Sequence, residues 1–381
     1  MLTPAVAVAD SAHVSDLIDE LRRIQLKIAQ GDKAAYPAQL NQLKTIDAAI
    51  ATASPETWKT KREADSLVIY ILSGGSLANV GPLLKGDTVI DSERSLARAA
   101  LAYVTNHEAD AIALLEETNL TALDARLGGE VAFARSVLET KRDAKAAVDL
   151  LDWARLLGPG GLVEEAALRR EIALLAEAKD MSRLAVLTRQ YVTRFAASLY
   201  AADFLRDLAG AVARLGLADD PADYKLLSSA VAALPPDGRR EFLLNLAKSG
   251  VVSGRFVAAA SAATEALENS KSDSPEAMRA RLYLAASRLF SDAYDAAIAD
   301  LRALSASKLD RADASLLAAV RRVAAELRVV PDLNVFKTQN AAALPDADKD
   351  KPSGPALTIA QAQDALQRTS SLAPTQSGGT P

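Results

Sequence analysis

The chain contains no cysteine. Disulfides, thiolate zinc sites, iron–sulfur clusters and cysteine nucleophiles are therefore excluded. Histidine is almost as scarce: His13 and His107 are the only two, and neither has a second histidine within ligand spacing. Aromatic residues make up 4% of the chain. An excess of basic charge is also missing, because 44 Lys and Arg against 49 Asp and Glu leave a net charge of −5. A nucleic-acid binder needs a basic footprint to displace counterions from phosphate, so that class is set aside. No run of eighteen apolar residues occurs, so no membrane span is expected. No segment alternates apolar and polar residues over a credible strand length.

What is abundant is alanine, 79 of 381 residues. Alanine is the strongest helix former because it loses no side-chain entropy, and its small side chain lets helices approach closely. Half the residues are hydrophobic and 24% are charged, a globular composition. The apolar residues recur at helical spacing: Leu127, Val131, Ala134, Leu138; Leu184, Leu187, Tyr191, Phe195; Met278, Leu282, Ala285, Leu289. The fold class predicted is all-α.

Breakers divide the chain into short helices. Ser54-Pro55 and Ser274-Pro275 read as an N-cap followed by proline at the first helical position. Ser73-Gly74-Gly75 and Gly158-Pro159-Gly160-Gly161 read as stops. Helix pairs are expected to begin near Asp124, Gly161, Ala196, Asp237 and Ser274, at steps of 37, 35, 41 and 37 residues. A tetratricopeptide unit has about 34 residues. Segments such as Tyr294-Asp295-Ala296-Ala297-Ile298 have the texture of its second helix, without a clean consensus. The expected architecture is a TPR-like α-solenoid of stacked antiparallel helix pairs, in which neighbouring pairs bury one another's apolar stripes. Four regions follow: a leader over 1–13, a helical N-terminal subdomain over 14–90, the repeat domain over 91–330, and a disordered tail over 331–381 rich in Pro, Ser, Asp and Gly. A short partner-dependent helix could form over 358–367, with Thr358 as its N-cap. In the leader, Ala7-Val8-Ala9 before Asp10 matches a small-residue cleavage pattern but has no basic region before it. It reads either as the trailing edge of an export signal or as a flexible Ala-rich leader.

Chemistry-bearing motifs are sparse. Neither glycine cluster matches a phosphate loop or a dinucleotide fingerprint. Gly160-Gly161 opens a helix, but Glu164 and Glu165 in its first turn already complement the dipole, so a plain turn is expected there. Glu164 and Glu165 are adjacent and point about 100° apart on a helix, which does not suit acid–base work at one centre. Glu165 and Arg169 have the spacing of a surface pair. No G-x-S-x-G elbow exists. His13 and His107 are expected to cap helices or face solvent. Trp58, Trp153, Tyr103, Tyr191, Tyr200 and Tyr283 could form a peptide-binding ladder, but core packing is expected for about four of them. Arg169-Arg170 and Arg239-Arg240 are expected on solvated faces. No catalytic residue, cofactor, metal or small-molecule substrate is implied.

Three stretches are more specific. They are Ser66-Leu67-Val68-Ile69-Tyr70-Ile71-Leu72-Ser73-Gly74-Gly75, the run from Ala154-Arg155-Leu156-Leu157-Gly158 to Glu164-Glu165-Ala166-Ala167-Leu168-Arg169-Arg170, and Tyr191-Val192-Thr193-Arg194-Phe195-Ala196. They resemble the MotC family of motility proteins of rhizobia and related alphaproteobacteria, over roughly residues 14–330. The resemblance implies a non-enzymatic protein exported to the periplasm that binds the periplasmic domain of the stator protein MotB and supports flagellar rotation. This chain departs from that pattern in lacking a complete export signal. The alternatives are a TPR-like cell-envelope adaptor unrelated to motility and an all-α wall-cleaving glycosidase, which would need two carboxylates facing across a cleft. Partner contacts are expected at Glu164, Glu165, Arg169 and Arg170, where the resemblance is densest.

Overall fold

A computed structural model describes residues 13–327. The leader before His13, the tail from residue 328 and the helix expected over 358–367 lie outside the described residues. Among the described residues there are seventeen α-helices, three short 3-10 turns and no strand. The residues up to Ala324 form one compact unit; a second begins at Ala325, and its described residues complete the last helix.

The first half comprises α1 (Val14–Ala29), α2 (Ala35–Thr52), α3 (Lys61–Leu72), α4 (Val80–Lys85), α5 (Asp91–Val104), α6 (Glu108–Glu116), α7 (Ala125–Glu139) and α8 (Ala144–Leu157). Val14, Ile18, Leu21 and Ile28 of α1 are buried at helical spacing. They form the stripe that packs α1 on α2, α3 and α9 (Leu162–Glu177). Helix α3 is buried from Glu63 to Ile71 and sits at the centre of an apolar cluster running from Val14 to Leu138. That cluster passes through residue 90 into α5, α6 and α7. At Ser54-Pro55 the expected helix start is a 3-10 turn, Pro55–Lys59, with no side-chain cap. The helix begins six residues after Pro55, where the Thr60 hydroxyl accepts the Glu63 N–H.

From α9 the remaining helices are α10 (Met181–Phe195), α11 (Ala201–Leu215), α12 (Pro221–Val231), α13 (Pro236–Val252), α14 (Phe256–Glu268), α15 (Pro275–Arg288), α16 (Tyr294–Ala303) and α17 (Arg311–Leu327). Helices α9, α11, α13 and α15 stack in one layer; α10, α12 and α14 stack in the other. One apolar cluster runs through both, from Leu168 to Ala324. This is the repeat stacking expected of an α-solenoid. The pair starts near Asp124, Gly161 and Ser274 coincide with the N-caps of α7, α9 and α15, and Asp237 lies in the first turn of α13. The start expected near Ala196 falls instead at Ala201, because α10 runs on to Phe195 and turns through Ser198, with no glycine or proline to mark the break. Helix α11 lies against α9 and α13, and α12 against α10 and α14.

Alanine makes the close approaches. Ala258, Ala259, Ala262, Ala263 and Ala266 form the buried face of α14, packed between α13 and α15. At Gly250 of α13 an added Cβ would lie 2.9 Å from the Ala259 Cβ. Gly31, in the turn after α1, has φ +91, and a Cβ there would fall 2.2 Å from the Ala197 carbonyl oxygen. The α1–α2 turn therefore presses directly on the end of α10.

Candidate partner-binding face around α9

The α8–α9 turn explains where the two expected acids go. Gly160 takes φ +83 and Gly161 is the N-cap of α9. Three residues into the helix, the Glu164 carboxylate reaches back and accepts the Gly160 N–H at 2.5 Å, a one-way cap on the residue before the N-cap, since Gly161 has no side chain to return the bond. It also accepts from Gln190 Nε2 at 3.0 Å and pairs with Arg194 at 2.7 Å. Glu164 is 1% exposed and Glu165 is 0% exposed, so neither is a surface contact, and the expected surface pair of Glu165 with Arg169 is corrected. Glu165 accepts the Tyr191 hydroxyl at 3.0 Å instead. Its other carboxylate oxygen is buried with no well-formed hydrogen bond among the described residues, the Ser198 hydroxyl being the nearby donor. Burial pushes the Glu165 carboxyl above its ordinary pKa, and the Ser198 and Tyr191 hydroxyls and the Arg169 charge oppose that shift only in part.

Arg169 turns over the ring of Tyr200, 4.8 Å from its centroid. Arg170 is half-buried and donates to the Thr140 hydroxyl from Nε at 3.3 Å and Nη2 at 3.0 Å. Of the four residues expected to meet a partner, Arg170 lines an open cleft of about 220 Å³.

One more acid of α9 organises this region. Glu171 is fully buried and accepts from Arg155 of α8 and from Arg183 of α10, the latter at 2.6 Å. Both arginines also bind Asp152, and Gln190 accepts from Arg155 at 3.2 Å while donating to Glu164. Three acids and three arginines (Asp152, Glu164, Glu171, Arg155, Arg183, Arg194) thus form a neutral network tying α8, α9 and α10 together. Burial pushes the Glu171 pKa up, against the pull of Arg155. The network holds side chains in place between the three helices.

The other candidates resolve individually. Trp58, Tyr191 and Tyr283 are fully buried; Tyr103 and Tyr200 are half-buried. Trp153 is 40% exposed and shares the outer face of α8 with Leu156, 70% exposed and three residues on. His107 is the N-cap residue of α6, with Nδ1 2.9 Å from the Thr105 hydroxyl, and His13 lies 3.6 Å from Glu63. Arg239 binds Glu265, and Arg240 binds Asp237 and the Asn269 carbonyl. Among the described residues, no group of three or more His, Asp or Glu could hold a metal ion, and no helix is long and apolar enough to cross a membrane.

A family model described as "MotC: Chemotaxis protein MotC" matches residues 2–377. The chain belongs to the MotC family. It is 27% identical over 312 residues to "Chemotaxis protein MotC" of Rhizobium meliloti (strain 1021), covering 81% of this chain and 70% of that relative. No solved structure matches it. MotC family membership thus reaches well beyond α9, over nearly the whole chain.

Proposed function

We propose that this chain is a non-enzymatic motility protein of the periplasm that binds the periplasmic domain of the stator protein MotB and supports flagellar rotation. Membership of the MotC family is the observation that carries this. The stacked helices supply a preformed surface, so docking costs little ordering of the chain. On that surface Trp153 and Leu156 form an exposed apolar pair beside the charged network of α8 to α10. Interface energy concentrates in such tryptophans when a partner covers them.

The test is capture of the exported protein by the MotB periplasmic domain, together with swimming of a strain that lacks the gene. Binding with lost swimming is expected. Absence of binding with normal swimming refutes the proposal, and envelope defects with intact motility replace it with an envelope adaptor. Trp153→Ala is expected to weaken capture about tenfold, since one well-covered tryptophan is worth roughly 1–2 kcal/mol or more at an interface.

A further inference from the structure

The cleft beside Arg170 is built from four helices distant in sequence. Tyr103 and Asn106 come from the end of α5, Glu108 from the start of α6, Thr140 and Lys141 from the end of α7, and Arg170 from α9. Asn106 is held in place by a left-handed cap. Its φ is 60, its N–H bonds the Tyr103 carbonyl at 3.2 Å, and the next N–H bonds Ala102 at 2.8 Å. The Thr140 hydroxyl donates to the Ser136 carbonyl at 2.8 Å, which fixes its oxygen as an acceptor for Arg170. The guanidinium is therefore aimed by its own protein, but at a neutral group. No described carboxylate lies within 4.0 Å of Arg170 or of the exposed Lys141, whereas Arg142, Arg155, Arg183 and Arg194 each have such a partner. Glu108 lines the same cleft without reaching either cation. Burial raises the pKa of Tyr103, and the charge of Arg170 partly offsets it, so the phenol stays a neutral donor at the cleft wall.

We infer that this cleft is a receptor for a single carboxylate, presented by an acidic segment of a protein partner and held by Arg170 and Lys141. A guanidinium fork is matched in shape to a carboxylate and binds it through parallel charge-assisted hydrogen bonds. With Glu108 on the rim the cleft carries two positive charges and one negative, which balances one carboxylate rather than a phosphate dianion. The cleft volume of about 220 Å³ accepts a Glu or Asp side chain. The inference deepens the docking proposal above and rests on it only for the carboxylate arriving on a protein; the site itself is independent of which protein that is.

The test is a nuclear magnetic resonance titration of the full chain with N-acetyl-glycyl-glutamyl-glycinamide. N-acetyl-diglycine, its glutamine analogue and inorganic phosphate are the other probes. The glutamyl peptide is expected to shift the amides of Asn106, Thr140 and Lys141. Arg170→Gln is expected to weaken it about tenfold, and Lys141→Gln about threefold, with the circular dichroism spectrum unchanged. Binding of N-acetyl-diglycine at the same amides supports the site and identifies a chain terminus as the natural source; binding of the glutamyl peptide alone identifies a side chain. Equal binding of the glutamine analogue, tighter binding of phosphate than of either carboxylate, or an affinity unchanged in both variants overturns the inference. None of these probes contains MotB, so a failed capture of MotB with an intact titration removes the docking proposal and leaves the cleft.

Discussion

Asp65→Asn is expected to change stability in a way that depends on pH with a definite sign. Asp65 and Glu93 are 3% and 6% exposed and share one cation, Lys61, whose Nζ lies 3.1 Å from both Asp65 oxygens and 3.0 Å from Glu93. Burial pushes the Asp65 carboxyl up to about 6, with Lys61 opposing and Glu93 adding to the shift. A raised carboxyl pKa means the folded state holds the proton more tightly than the unfolded one. The stabilising contribution is full below the unfolded value of 3.8 and is lost as pH rises through about 6. A shift of that size corresponds to about 3 kcal/mol at full strength. Lys61 is half exposed, so solvent screens the cluster and about 1.5 kcal/mol is retained. Asparagine keeps an acceptor for Lys61 and removes the second negative charge. Relative to the parent, the variant is expected to gain about 1.5 kcal/mol between pH 4 and pH 7.5. Urea unfolding of both proteins across that range reads the difference directly, and acids remote from the Lys61 cluster cancel. A difference flat to within about 0.3 kcal/mol, or one falling as pH rises, refutes the reasoning.

Tyr191→Phe keeps the ring against Phe204, 4.4 Å away, but strips Glu165 of its hydroxyl donor; urea unfolding is expected to show a loss of about 2 kcal/mol. Glu171→Gln leaves Arg155 and Arg183 without their shared charge and is expected to cost about 2–3 kcal/mol, less when Arg155→Met is added, as a double-mutant cycle would measure. Gly31→Ala meets both a positive φ and the Ala197 carbonyl, and a thermal melt is expected to reveal at least about 3 kcal/mol of destabilisation. Gly250→Ala drives a methyl against Ala259 between α13 and α14, for an expected loss of about 1–3 kcal/mol by the same measurement.

Helix class and several helix starts were legible because their causes lie within one turn of chain. Asp143, Asp220 before Pro221, and Ser274 before Pro275 cap α8, α12 and α15 as their residue types imply. The break before Ala201 was not legible, since nothing in Ser198-Leu199-Tyr200 differs in propensity from a helix interior as sharply as glycine or proline does. The family resemblance was legible in α3 and across the α8–α9 turn, and the match extends over residues 2–377. The fate of α9 was not. Glu164, Glu165 and Glu171 look like ordinary helix-surface acids by spacing, yet they are buried because Tyr191, Gln190, Arg194 and Arg183 arrive from α10 and Arg155 from α8. Arg170 read as half of a solvated doublet, whereas its cleft is completed by residues more than sixty positions earlier in the chain.

Periodicity and capping act between residues no more than four apart, so the amino-acid order alone specifies an alanine-rich stack of helices closed by Asp, Ser, Pro and Gly. Whether a given charge faces water or an arginine depends on which helices lean together, and that follows from how every apolar stripe is buried at once. The interior acids of α9 and the Arg170 guanidinium facing Thr140 in its cleft are consequences of that stacking, because burial is a property of the neighbours a side chain acquires.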